Sequence, residues 1–144
     1  MLRNIKQTKA KKPVMVMLHG SGSSAAIFGI QTHLLSRELS KRFNLVYLDA
    51  ANPSGPGPGV LPFFADMPGY YQWIEEGELP AEARYEELGG VARYIQAQLD
   101  ERNIKRREVV AFLGFSQGAL VVSNSLGLSL RFWIVPRHLS LSIM

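Results

Sequence analysis

The sequence contains no cysteine, which removes disulfides, thiolate metal ligands and cysteine nucleophiles and gives no sign of an oxidising compartment. Nor does it hold a run of the roughly 18 apolar residues that a membrane-spanning helix needs, because Arg131, Pro136 and Arg137 interrupt its most apolar part. No membrane span is expected, and a cytoplasmic location is the default. Acidic residues are absent after Glu108, and His138 is the one histidine beyond residue 33. The net charge of +4 could suggest a nucleic-acid partner. Much of the excess, however, is Arg3, Lys6, Lys9, Lys11 and Lys12, which precede the first apolar run and read as a solvated tail. Lys105, Arg106 and Arg107 read as a solvated loop in the same way, so no nucleic-acid partner is expected.

What is present is a chain of 144 residues, 47% of them hydrophobic, enough for one modest core and not for two domains. Val14 to Leu18 is a short continuous apolar run closed by Gly20, which suits a strand buried on both faces of a parallel sheet. Ile27, Ile30, Leu34, Leu35 and Leu39 then recur at helical spacing, with Ser23 or Ser24 placed to cap the start. Leu45 to Leu48 reads as a second strand ending at Asp49, and the strand, helix, strand order implies a right-handed crossover to a parallel neighbour. From Ala50 to about Pro80, alternating prolines and glycines preclude a regular helix or a central strand. This connection carries Phe63, Phe64, Tyr70, Tyr71 and Trp73, which can serve as a substrate pocket wall or as ordinary loop packing; the pattern leaves both open. Leu88, Val91, Ala92, Ile95 and Leu99 mark another amphipathic helix, and Val109 to Leu113 a third buried strand.

That third strand runs into Gly114-Phe-Ser-Gln-Gly118 and then into an apolar helix start. A GxSxG sequence between strand and helix is the setting of a nucleophile elbow, in which small residues two positions either side let a strained serine rise clear of the sheet. Ser116 is the expected nucleophile and the Gln117 N–H an expected oxyanion donor at the helix end. Leu18-His-Gly-Ser-Gly22 follows the first strand, where the second donor of such a site belongs; the Ser21 N–H is the choice, with Gly20 and Gly22 permitting close backbone approach. His19 is expected to brace this turn and not to take a proton. A rival reading uses the same residues. Gly20-x-Gly22-x-x-Ala25 after a strand, with Asp49 ending the next, also fits a dinucleotide-binding Rossmann fingerprint, but leaves GFSQG unexplained.

The LHGSGSS turn, the Pro/Gly loop with Trp73, the helix around Tyr85 to Ile95 and the GFSQGA elbow together resemble the fungal serine hydrolase (FSH) family over about residues 13–120. The resemblance implies an esterase or thioesterase acting on an apolar acyl ester or thioester, linked to polyketide secondary metabolism, with no metal or organic cofactor. It also implies Ser116 as nucleophile and the N–H groups of Ser21 and Gln117 as the oxyanion hole. A non-catalytic acyl-binding or regulatory module is the alternative of another class, and the oligomeric state is left open.

In α/β-hydrolases the acid and the histidine follow the serine in chain order. Here no carboxylate follows Glu108 and His138 stands in a Ser/Leu-rich stretch, so His138 is read as a tail residue and the triad as incomplete. The expectation is a truncated or frame-shifted chain with trace activity at most: residues 1–12 a basic tail, 13–124 a partial hydrolase domain, 125–144 a non-family tail. The expected fold is α/β, the N-terminal portion of a three-layer α/β-hydrolase-like parallel sheet, with the Val14 strand between the Leu45 and Val109 strands.

Overall fold

A computed structural model describes residues 11–125 and 133–134. Most of the basic tail, His138 and most of the segment after Ser125 lie outside the described residues. Five consecutive apolar side chains make Val14–Leu18 (β1) a strand with no wet face, and each is at most 5% exposed. The two-residue alternation of a strand sends Val14, Val16 and Leu18 to one side and Met15 and Met17 to the other. Two separate apolar clusters form around these two sets.

β1 pairs in parallel with Asn44–Leu48 (β2) on one side and with the strand Val109–Gly114 on the other. As two further short strands intervene in the chain, that third long strand is β5. A two-residue strand, Trp133–Ile134 (β6), extends the sheet in parallel beyond β5, giving the order β2-β1-β5-β6. The expected central position of the Val14 strand is met. The intervening pieces, Asn52–Pro53 (β3) and Tyr71–Gln72 (β4), form a small antiparallel ribbon apart from the main sheet. Proline is tolerated there because the ribbon is all edge.

The pairing of β5 with β1 slips by one residue between Val14 and Met15. The extra residue, Val110, has no partner on β1, as in a bulge, and is 41% exposed. Beyond it Leu113 and Gly114 come level with Met17 and Leu18, so both glycine-containing turns leave the sheet side by side.

One face of the sheet is covered by Ala81–Glu101 (α3) through Val91, Ile95 and Leu99, and by Gln117–Ser125 (α4) through Val121 and Val122. The opposite face is covered by the segment after β1, and here the expected single helix is corrected. It is two helices, Ala25–Gln31 (α1) and His33–Leu39 (α2), interrupted at Thr32. The Thr32 hydroxyl donates to the Phe28 carbonyl at 2.6 Å and meets the Tyr47 hydroxyl of β2 at 2.9 Å, while Ser36 Oγ meets the same Tyr47 hydroxyl at 2.5 Å. A polar knot to the sheet therefore sits where the apolar face was expected to continue. Ile27 and Phe28 are buried, but Ile30, Leu34 and Leu35 are 51%, 60% and 42% exposed. Ser24, not Ser23, caps α1 by accepting from the Ile27 N–H at 3.2 Å. Among the described residues no helix is long and apolar enough to cross a membrane.

Candidate active site

β5 ends at Gly114 and α4 begins at Gln117, which leaves Phe115 and Ser116 to reverse the chain. Ser116 adopts φ +51°, a left-handed conformation that costs a residue with a side chain about 1–3 kcal/mol. Space is the second constraint. A Cβ on Gly114 would lie 2.4 Å from the Gly118 carbonyl oxygen, and one on Gly118 would lie 2.4 Å and 2.6 Å from the Leu18 and His19 oxygens. No side chain fits at either position unless backbone moves, which is why glycines flank the serine.

The turn after β1 is pressed against this elbow. Phe115 N–H donates to the Leu18 carbonyl at 3.0 Å, and a Cβ built on Gly20 would stand 3.3 Å from Ser116 Cβ. Gly22 takes φ +67° and has its own obstruction, the Gly57 nitrogen 2.0 Å from where its Cβ would be. Ser116 is half-buried, and Gln117 is buried. Among the described residues, neither the Ser21 N–H nor the Gln117 N–H donates to a protein acceptor, whereas the Gly118 and Ala119 N–H groups are satisfied by Phe115 and Ser116 carbonyls. Two amide donors with no partner among the described residues thus belong to the two turns that meet at Ser116.

His19 is fully buried. Its Nε2 accepts from the Ala50 N–H at 3.1 Å, and because an amide nitrogen only donates, Nδ1 carries the proton and gives it to the Gly20 carbonyl at 2.7 Å. Burial holds its pKa below the ordinary histidine value, against the opposing influence of the Gly20 carbonyl and the Asp49 carboxylate. With both ring nitrogens engaged, His19 has no free lone pair for a substrate proton; it holds the turn to the end of β2.

The aromatic loop residues divide. Trp73 is 1% exposed, lies tilted against His19 with ring centroids 5.2 Å apart and donates its indole N–H to the His19 carbonyl at 2.8 Å. It also lines a cavity of about 160 Å³ with Asn52, Glu87, Gly90, Val91 and Tyr94. Tyr70 donates to the Phe64 carbonyl at 2.8 Å, stitching the loop to itself. Tyr71 packs half-buried on the core, and Phe63 is 85% exposed. Phe64 and Tyr70 are half-buried, so the five differ widely in exposure.

The space that the rival fingerprint reserves for a pyrophosphate is filled by the chain itself. Asp49 accepts from the Ala25 N–H at 2.7 Å and Ser24 from the Ile27 N–H. The Gly22 N–H is held by the Tyr71 carbonyl at 2.9 Å, with Gly57 packed onto Gly22. Three contributors carried no signal in their own neighbourhood: Gly57, which is indistinguishable from the other loop glycines, Glu76, whose carboxylate meets Ser21 Oγ at 3.3 Å, and the Gln117 side chain, which reaches 44 residues back to Trp73.

A parallel sheet whose third long strand turns through a strained serine into a helix, beside a second glycine turn, defines an α/β-hydrolase fold. The chain superposes on a carboxylesterase from Mesorhizobium loti with a TM-score of 0.55 at 20% identity, over 84% of this chain and 51% of that one. The serine hydrolase (FSH1) family model matches residues 8–129, and the chain belongs to that family. It is 38% identical over 117 residues to esterase FUS5 of Gibberella fujikuroi, covering 80% of this chain and 48% of that protein. It is 35% identical over 114 residues to the dihydromonacolin L-(lovastatin nonaketide synthase) thioesterase of Aspergillus terreus, covering 76% and 44%. The chain spans about half the length of the curated relatives it matches.

Proposed function

We propose that the protein is a serine esterase or thioesterase that cleaves an ester or thioester of an apolar acyl group through an acyl-Ser116 intermediate, in secondary metabolism and in the cytoplasm. The observation that carries this reading is the meeting of a serine at φ +51° with two turns whose Ser21 and Gln117 N–H groups have no acceptor among the described residues. As Ser116 Oγ bonds to the acyl carbon it gives up its proton to water, since no base meets it among the described residues. The carbonyl oxygen takes up negative charge that two fixed amide donors stabilise without reorganising. Collapse then breaks the acyl–oxygen or acyl–sulfur bond and expels the alcohol or thiol, and water releases the acid from Ser116. Loss of one such donor costs roughly 10² to 10³ in rate in comparable sites. The names of the relatives, an esterase and a thioesterase, agree with this chemistry. The dinucleotide reading is set aside because Asp49, Ser24 and Tyr71 occupy the donors it would need.

The test is covalent labelling of the full chain with a fluorophosphonate probe, beside Ser116→Ala. Labelling that maps to residue 116 and vanishes in the variant supports the reading. Hydrolysis of an acyl thioester can be followed in the same sample with a thiol reagent, since the protein contributes no thiol background. The alternative from another class is an acyl-binding module without turnover. Absent labelling together with saturable binding of a fatty acyl ligand would favour it.

A further inference from the structure

Tyr71 to Ile74 touches both turns of the site. On the side of the Ser21 turn, the Gly22 N–H donates to the Tyr71 carbonyl at 2.9 Å, the Tyr71 N–H donates to the Ser23 carbonyl at 2.8 Å, and the Trp73 indole N–H donates to the His19 carbonyl at 2.8 Å. Ser21 is therefore bracketed on both sides by bonds to one short segment. On the side of the elbow, the Gln117 side chain does the corresponding work. Its Oε1 accepts from the Trp73 N–H at 2.6 Å and the Ile74 N–H at 3.3 Å, and its Nε2 donates to the Ile74 carbonyl at 2.9 Å. Gln117 is 8% exposed and Trp73 1%, so water does not compete for these bonds.

We infer that Tyr71–Ile74 is a strut that sets the separation of the Ser21 and Gln117 amides, and that the Gln117 side chain is the clamp that holds it. Gln117 is then a positioning residue as well as a backbone donor, an assignment that rests on the oxyanion reading above. The chemistry asks for a primary amide at this position. Two N–H groups and one carbonyl face the side chain, so it must accept twice and donate once. A leucine does neither, and an ionised glutamate would accept from both amides but set negative charge against the Ile74 carbonyl. A protonated glutamate restores the donor.

The experiment uses the full chain with Gln117→Leu, Gln117→Glu and Trp73→Phe, the last keeping a buried aromatic ring, though a smaller one, while deleting the indole N–H. The concentration dependence of fluorophosphonate labelling separates probe binding from the maximal labelling rate. Because misplacement by about 1 Å costs about 100-fold and loss of a donor as much or more, Gln117→Leu and Trp73→Phe are expected to lose about 10- to 100-fold in maximal rate per folded molecule, with probe binding within about twofold. Gln117→Glu should show the same loss at pH 8 and recover as the pH falls toward 5, against the trend of the parent chain. Unchanged maximal rates, or a Gln117→Glu pH profile parallel to that of the parent, would overturn the inference and leave Gln117 a packing residue. If the parent chain does not label, the nucleophile reading fails, and residue-resolved hydrogen exchange then decides the strut alone. Faster exchange in Gln117→Leu at Gly22 and Tyr71, which its side chain does not touch, supports the strut; acceleration confined to Trp73 and Ile74 refutes it.

Discussion

Replacing Gly118 with alanine adds one methyl group 2.4 Å from the Leu18 oxygen and 2.6 Å from the His19 oxygen. An ordinary contact begins at 3.4 Å, so the elbow and the end of β1 must separate by close to 1 Å. Neither oxygen is a flexible tip: Leu18 closes the central strand and its carbonyl already accepts from Phe115. The steric cost therefore falls at the upper end of the overpacking range, about 3 kcal/mol. The better helix propensity of alanine in the first turn of α4 offsets up to about 1 kcal/mol. A net loss of about 2 kcal/mol lowers Tm by roughly 8 °C in a domain of this size. Gly29→Ala is the matched control, since its Cβ meets nothing within 4 Å; it should gain about 0.5–1 kcal/mol and raise Tm by roughly 2–4 °C. Calorimetry on the two variants checks the pair, and labelling of Gly118→Ala should fall about 100-fold because the two turns have moved apart. A Gly118→Ala protein that melts at or above the parent temperature would refute the packing of elbow against turn.

Ser116→Gly should raise stability by about 1 kcal/mol in urea unfolding, because glycine relieves the cost of φ +51°, whereas Ser116→Ala should not. Because burial depresses the His19 pKa, the unfolded state binds the proton more readily. Stability should therefore be fully present above the unfolded value of about 6.5 and decline as pH falls below it, by up to about 1.4 kcal/mol per unit. Melting curves of His19→Asn against pH should lose that slope. Leu34→Gln should change stability by less than about 0.5 kcal/mol, since Leu34 is 60% exposed, while Phe28→Ala, at 3% exposed, should cost about 3–5 kcal/mol; chemical denaturation checks both.

The sheet was readable because its signals are local. Val14 to Leu18 and Val109 to Leu113 are short unbroken apolar runs that suit strands of a covered sheet, with Val110 at the bulge the one exposed member, and Gly114, Ser116 and Gly118 declare the elbow within five residues. The helical face from Ile27 to Leu39 was misread because periodicity cannot register Thr32 and Ser36 bonding to Tyr47 on another element. Two strand residues at Asn52–Pro53 are too short to show a period, so the ribbon with Tyr71–Gln72 was hidden as well. Within the site, composition marks Trp73 as an aromatic in a loop but cannot distinguish a pocket wall from a buried strut. That role depends on His19 and Gln117, each distant in sequence. Glycine spacing likewise allowed a dinucleotide turn until the partners of Ala25, Ile27 and Gly22 were known.

The most direct test is a crystal structure of the full chain carrying a phosphonate on residue 116. The account predicts the phosphonyl oxygen within about 2.7–3.1 Å of both the Ser21 and Gln117 nitrogens, with the indole of Trp73 still bonded to the His19 carbonyl. An adduct whose oxygen points to solvent, or is met by donors other than these two, would contradict it.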